Sequence, residues 1–189
     1  MSSKTFDVIV VGGGHAGIEA AHAAAKMGSK TLLITLRKDR IGYMPCNPAI
    51  GGVGKGHIVF EISALGGLMP QLCSQTYLQA RMLNTKKGQA VQGLRLQIDK
   101  HAYSALSQKM LSEIPNLIIL EAKVASLITN NSKNVSGIVT ECGQRFNSSS
   151  VILTTGTFLN GITHTGSIKA PAGRQGDETV IALSTFLHE

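Results

Sequence analysis

Gly12, Gly14 and Gly17 of the stretch Gly12-Gly13-Gly14-His15-Ala16-Gly17 fit the spacing G-x-G-x-x-G. The chemistry open to that spacing is the holding of a pyrophosphate. A glycine at the first position lets the chain reverse off a strand. One at the second lets the backbone approach the phosphates, and one at the third brings the next helix down onto the sheet. A helix starting near His15 then aims its free N–H groups and the positive end of its dipole at the anion. Gly12, Gly13, Gly14, His15, Ala16 and Gly17 are therefore the expected pyrophosphate grip of a dinucleotide: FAD, NAD or NADP. His15 needs to contribute no more than its backbone.

The elements that must position this turn are written on either side of it. Residues 6–35 read as a buried strand, the turn, an alanine-rich helix and a second buried strand. A glycine- and proline-rich loop follows from Leu36 to Gly56, then a helix over about 57–65 and a break at Gly66-Gly67. Residues 75–84 also read as helical. Asp99–Ile114 is a helix with Tyr103, Leu106, Met110 and Leu111 on one face. Asn116–Glu121 is a continuous apolar strand of the parallel type. Lys123–Thr129, Val135–Cys142 and Gln144–Phe146 alternate between turn signals at Asn130–Asn134 and Gly143, which predicts an antiparallel meander. Ser150–Thr154 returns as a buried strand ending in Thr155-Gly156-Thr157. The fold class is α/β. The order of parallel strands, meander and returning Thr-Gly strand matches a Rossmann-like FAD-binding domain of the glutathione reductase type and favours FAD over NAD. The carboxylate expected on the adenosine ribose at the end of the second strand is absent, and Thr35, Leu36 and Arg37 stand there.

Composition sets outer limits. The chain has 189 residues, 43% hydrophobic and 15% charged, as a globular protein does. No apolar run approaches the ~18 residues of a membrane span. Met1-Ser2-Ser3 leads directly into the first strand, so a signal peptide is not expected and the cytoplasm is. Three cysteines with no C-x-x-C pair argue against disulfides and zinc, and no metal is expected. The net charge of +7 favours an anionic partner, a phosphate-bearing cofactor or nucleic acid.

A second segment, Cys46-Asn47-Pro48-Ala49-Ile50-Gly51-Gly52-Val53-Gly54-Lys55-Gly56-His57, joins the glycine turn. With Ala64–Met69, Arg81–Asn84, Leu94–Asp99, Gly156–Gly161 and Gly173–Asp177, it closely resembles the glucose-inhibited division protein A family. Members are FAD-dependent tRNA enzymes that install a carboxymethylaminomethyl group on C5 of the wobble uridine. The resemblance runs along nearly the whole chain but covers about the first third of a member. Residues 1–189 are thus expected to be the N-terminal part of the FAD-binding domain. The chain departs from the family at Gln89 and Gln92, and at Thr179-Val180, where members carry a Ser or Thr near the flavin.

The resemblance implies roles. Cys46 is the candidate nucleophile, its thiolate favoured by Lys55 and a following helix N-terminus. Val124 is expected beside the adenine, and Gly156, Thr157 and Val180 along the cofactor. The cofactor is FAD, with NADH and methylenetetrahydrofolate as co-substrates. The partners are tRNA and a GTPase subunit, and the full-length protein is expected to be a homodimer. Lys86, Lys87, Arg95 and Lys100 are candidate contacts to tRNA phosphates. Cys73 and Cys142 read as ordinary buried or strand residues. The competing readings are a folate- and FAD-dependent tRNA uracil-5-methyltransferase and a non-catalytic nucleotide-binding remnant.

Overall fold

The computed structural model describes residues 4–130, 134–174 and 176–188. Part of the expected Asn130–Asn134 turn (131–133), Gln175 of the Gly173–Asp177 motif and the Met1-Ser2-Ser3 start lie outside the described residues. The chain runs β1 (Lys4–Val11), α1 (His15–Lys26), β2 (Thr31–Thr35), β3 (Ala49–Gly51), α2 (Gly56–Ala64), α3 (Leu68–Thr76), β4 (Tyr77–Leu83) and β5 (Gly93–Ile98). It continues with α4 (Lys100–Ser112), β6 (Leu117–Glu121), β7 (Val124–Thr129), β8 (Val135–Thr140), β9 (Arg145–Leu153), β10 (Ile162–Thr165), β11 (Ile168–Pro171) and α5 (Ala182–His188).

The central sheet has the order β6-β2-β1-β9-β8-β7. Its first four strands are parallel, and β8 and β7 complete it antiparallel. Every residue of β2 is buried, as befits a parallel strand covered on both faces. Alternate residues divide the core between those faces. Val10 and Leu33 pack with Ile18, Ala21 and Ala25 of α1 and with Leu68, Leu72 and Tyr103 of α3 and α4. Ile9, Val11, Leu32 and Ile34 pack with Ile138, Phe146 and Leu183 on the other side. Each fully buried branched side chain contributes about 1.5–3 kcal/mol. Thr31–Thr35 and the strand to either side are thereby fixed in register with Val11 opposite both Ile34 and Leu153.

Four expectations are corrected. Residues 77–83 are not helical but form β4, the edge of an antiparallel sheet of order β3-β5-β4. Leu78, Gln79, Ala80, Arg81 and Met82 have helix-favouring side chains, and pairing with Gly93–Ile98 overrides that preference. The helix of this region lies earlier, at Leu68–Thr76. Gln144–Phe146 and Ser150–Thr154 belong to one strand, β9, which pairs with β8 at its start and with β1 along its length. The end of β9 is not buried either: Ile152 and Leu153 are 38% and 37% exposed. Finally, Cys142 is exposed in the turn after β8, whereas Cys73 is buried in α3 as expected.

Candidate nucleotide-binding cleft

The site begins where β1 ends. Gly12 donates its N–H to Ile34 O at 2.7 Å, and Thr154 donates its N–H to Val11 O at 2.9 Å. The Thr154 hydroxyl also donates toward Val11 O and Gly12 O. The ends of β2, β1 and β9 are thus tied at one level. Between β1 and β9 the connections diverge, since α1 leads away to β2 while β9 arrives from the meander. In open α/β sheets a ligand crevice forms at such a point.

The four glycines of the turn meet different surroundings. A Cβ on Gly12 (φ +117°) would lie 2.4 Å from Thr154 O, one on Gly13 2.7 Å from Thr35 Oγ1, and one on Gly17 1.8 Å from Gly12 O. These three are required by the protein's own packing. Gly14 is different: a Cβ there meets nothing within 4 Å. Gly14 is also the N-cap of α1, has extended backbone and carries no side-chain cap, so the first N–H groups of α1 have no side-chain acceptor at the cap.

A cleft of about 520 Å³ opens in front of the turn. It falls within the 300–1,000 Å³ typical of small-molecule and cofactor sites. Of the residues expected at the site, Gly12, Gly13, Gly14, Val124, Gly156, Thr157 and Val180 line it. Val124 opens β7, Gly156 and Thr157 lie in a 3-10 turn just past β9, and Val180 pairs with Leu159. His15, Ala16 and Gly17 do not line the wall. The His15 ring sits edge-on to Tyr103 at 5.6 Å, and its Nδ1 has no hydrogen-bond partner among the described residues. Burial, then the Arg174 charge, hold the His15 pKa below the usual imidazole value, against an opposing pull from Glu19. Cys46 is exposed in the loop before β3 and is not part of the cleft wall.

Charged residues close the mouth: Arg37, already noted beside the absent ribose carboxylate, and Lys123, Asp177 and Glu178, which were not expected as site residues. At the end of β2, Arg37 donates from Nε to Asp39 at 3.0 Å and reaches Asp177 at 3.4 Å. Its hydrogen bond to Asp39 raises the Arg37 pKa and lowers that of Asp39. Lys123 pairs with Glu178, raising the first and lowering the second. The Thr35 hydroxyl donates to Arg37 O at 3.3 Å, so this stand-in for the ribose acid is buried and engaged. The available signal was the charge-dense run Arg37-Lys38-Asp39-Arg40, but its partners at 177 and 178 are supplied by the fold.

The candidate basic residues lie elsewhere. Lys86 and Lys87 are exposed between β4 and β5, Arg95 is in β5 and Lys100 opens α4. Arg95 stands directly across from Arg81 on β4, a like-charge cross-strand pair.

The fold and the cleft together define a Rossmann-like α/β domain with a cleft at the ends of its parallel strands. The profile described as glucose inhibited division protein A matches residues 7–189, and the chain belongs to that family. Over 184 residues it is 50% identical to the tRNA uridine 5-carboxymethylaminomethyl modification enzyme MnmG of Wolinella succinogenes, covering 97% of this chain and 29% of that protein. It superposes on Aquifex aeolicus GidA with a TM-score of 0.94 and 48% identity, covering 98% of this chain and 30% of the other. A GidA-related protein from Thermus thermophilus shares the fold at a TM-score of 0.66 and 19% identity, with 97% and 67% covered. The chain therefore spans under a third of the length of the first two.

Proposed function

We propose that the cleft binds FAD and that the chain is the flavin-holding part of an enzyme adding a carboxymethylaminomethyl group to C5 of the wobble uridine in certain tRNAs. The observation that carries the cofactor reading is Gly14, whose missing side chain leaves open space at the cleft while its neighbours press against protein. Identity of 50% to a tRNA uridine modification enzyme supports the substrate. Bound FAD supplies hydride transfer, and the protein supplies binding, orientation and electrostatics. The Gly12–Gly14 backbone, with the positive end of the α1 dipole behind it, would hold the pyrophosphate. Val124 would hold the adenine, and Gly156, Thr157 and Val180 would hold the rest of the cofactor.

Cys46, exposed and free, is proposed as the nucleophile. Its thiolate adds to the uridine ring and makes the neighbouring carbon nucleophilic toward a one-carbon unit. The reading includes methylenetetrahydrofolate as donor, NADH as reductant, a GTPase partner, a homodimer and a cytoplasmic location, all of which rest on the family resemblance. Lys86, Lys87, Arg95 and Lys100 are proposed contacts to tRNA phosphates.

Flavin titration, followed by fluorescence, tests the cofactor. Wild-type chain is expected to bind FAD and Gly14→Asp is not, because a carboxylate would occupy the phosphate position. Asp is a favoured N-cap, so this variant keeps its fold. Normal FAD binding by Gly14→Asp would refute the site. Nucleoside analysis of tRNA modified by a full-length relative tests the reaction. A methyl group on a uridine other than the wobble base would refute it.

A further inference from the structure

Two arginines of the cleft have a chemistry that the glycine turn does not explain. Arg40 stacks over the Tyr43 ring, its guanidinium carbon 4.4 Å from the ring centre. Arg174 reaches the same ring at 5.6 Å and Phe158 at 4.7 Å. All four side chains belong to residues of the cleft wall. The loop carrying Arg40 and Tyr43 is anchored at the glycine turn: Gly42, between them, donates its N–H to Gly13 O at 3.0 Å.

One nitrogen of each guanidinium group lacks a partner among the described residues. Arg40 Nε and Arg174 Nη1 are closed to solvent and have no hydrogen-bond acceptor among the described residues. Arg40 Nε is 3.9 Å from Asp39, too far for a hydrogen bond, and Arg174 Nε is 3.6 Å from Asp177. Asp39 and Asp177 are the same two carboxylates that serve Arg37. Three arginines thus share two acids. Unmade hydrogen bonds on a shielded cationic donor are costly, and two like charges on one ring repel. An anion with several acceptor oxygens relieves the repulsion and can engage the guanidinium edges that stay part-exposed, the Arg40 and Arg174 side chains being 35% and 26% open. Guanidinium forks suit phosphate oxygens, and stacking on Tyr43 and Phe158 holds the forks in place.

We propose that Arg40 and Arg174, stacked on Tyr43, form a second grip on the diphosphate of the bound nucleotide, beside the glycine turn. This rests on the reading of the cleft as a dinucleotide site. The ligand class is a nucleoside diphosphate, free or as the ADP half of a dinucleotide. Arg174 also reaches His15 electrostatically and helps keep its ring neutral.

Calorimetric titration of the chain with FAD, ADP and adenosine tests this. Arg174→Gln and Arg40→Gln are each expected to weaken ADP and FAD about tenfold, since hydrogen bonds to a charged group are lost. Adenosine affinity should stay unchanged, and the salt dependence of ADP binding should become shallower. Arg174→Lys, which keeps the charge but loses the fork, should fall between wild type and Arg174→Gln. Unchanged ADP affinity in both Gln variants would overturn the grip while leaving the cleft reading intact. So would an equal loss for ADP and adenosine, because a phosphate grip acts only on ligands that carry phosphate. If wild-type chain bound neither ADP nor FAD, the cleft reading would fail along with the grip.

Discussion

Gly17→Ala is expected to destabilise the ligand-free chain strongly, whereas Gly14→Ala, three residues earlier in the same motif, is not. The added methyl at position 17 would sit 1.8 Å from Gly12 O and 2.7 Å from Thr154 Oγ1. An ordinary carbon–oxygen contact is about 3.3 Å, so α1 must lift by roughly 1.5 Å. The obstacle is backbone and cannot swing aside. Lifting α1 loosens Ile18, Ala21 and Ala25, which are 0%, 0% and 3% exposed against β1 and β2. Overpacking of this kind costs about 1–3 kcal/mol, and a backbone clash belongs at the upper end. For a chain of this size each kcal/mol lowers the melting midpoint by about 2–4 °C, which gives a loss of about 6–12 °C. At Gly14 the φ of −74° suits any residue, and an added Cβ meets no described atom beyond its chain neighbours within 4 Å. Alanine there loses only part of the cap preference, about 1 kcal/mol or less. Thermal unfolding followed by circular dichroism, without nucleotide, reads both. Equal midpoints for the two variants, or Gly14→Ala as the less stable, would refute the division of the motif into packing glycines and one ligand-facing glycine.

Other consequences can be measured with the same protein. The Glu19 carboxylate accepts the N–H groups of Leu68 and Met69 and closes the N-terminus of α3, whose cap Gly67 has no side chain. Glu19→Gln should therefore cost about 1–2 kcal/mol in urea unfolding, and an unchanged midpoint would deny the cap its role. Native chain should expose two thiols to an aromatic disulfide reagent, Cys46 and Cys142, with Cys73 reacting only after unfolding. Simultaneous reaction of all three would contradict the packing of α3. Burial raises the Cys73 pKa from 9.0 to about 11. The folded state thus favours the protonated thiol. Its contribution is complete below pH 9 and is lost as the pH climbs to 11. Cys73→Ala should flatten that alkaline decline, and a decline of unchanged slope would assign it elsewhere. His15 shifts in the opposite sense, downward from 6.5, so its contribution is present above pH 6.5 and fades as the pH falls below it. His15→Gln should lessen this acid sensitivity, with an identical pH profile as the contrary result.

Much of the frame was legible locally. Residues 6–35 carry strand, turn, helix and strand in adjacent segments, and each was visible because its signal is short-range: apolar runs, glycine spacing, alanine-rich periodicity. Asp99–Ile114 was visible for the same reason, its start marked by Asp99, whose carboxylate accepts the N–H groups of His101 and Ala102. The antiparallel sheet was not legible. β4 has a helix-favouring composition and becomes a strand because Gly93–Ile98 lies beside it, a pairing that no window along the chain contains. The unity of β9 was hidden in the same way, because one strand serves β8 at one end and β1 throughout.

By itself, the sequence determined that a glycine turn ends the first strand and begins a helix, and which family the chain resembles. Only the tertiary structure decided which glycines of that turn the protein's own packing requires. Thr154, which crowds Gly12, arrives 142 residues later, and Thr35, which crowds Gly13, belongs to the neighbouring strand. The mouth of the cleft was decided there as well. Arg37 meets Asp177 across 140 residues, and Lys123 meets Glu178 across 55. The physical reason is common to both. Glycine spacing follows from backbone geometry and is local, whereas crowding and ion pairing depend on which distant strand the core places alongside.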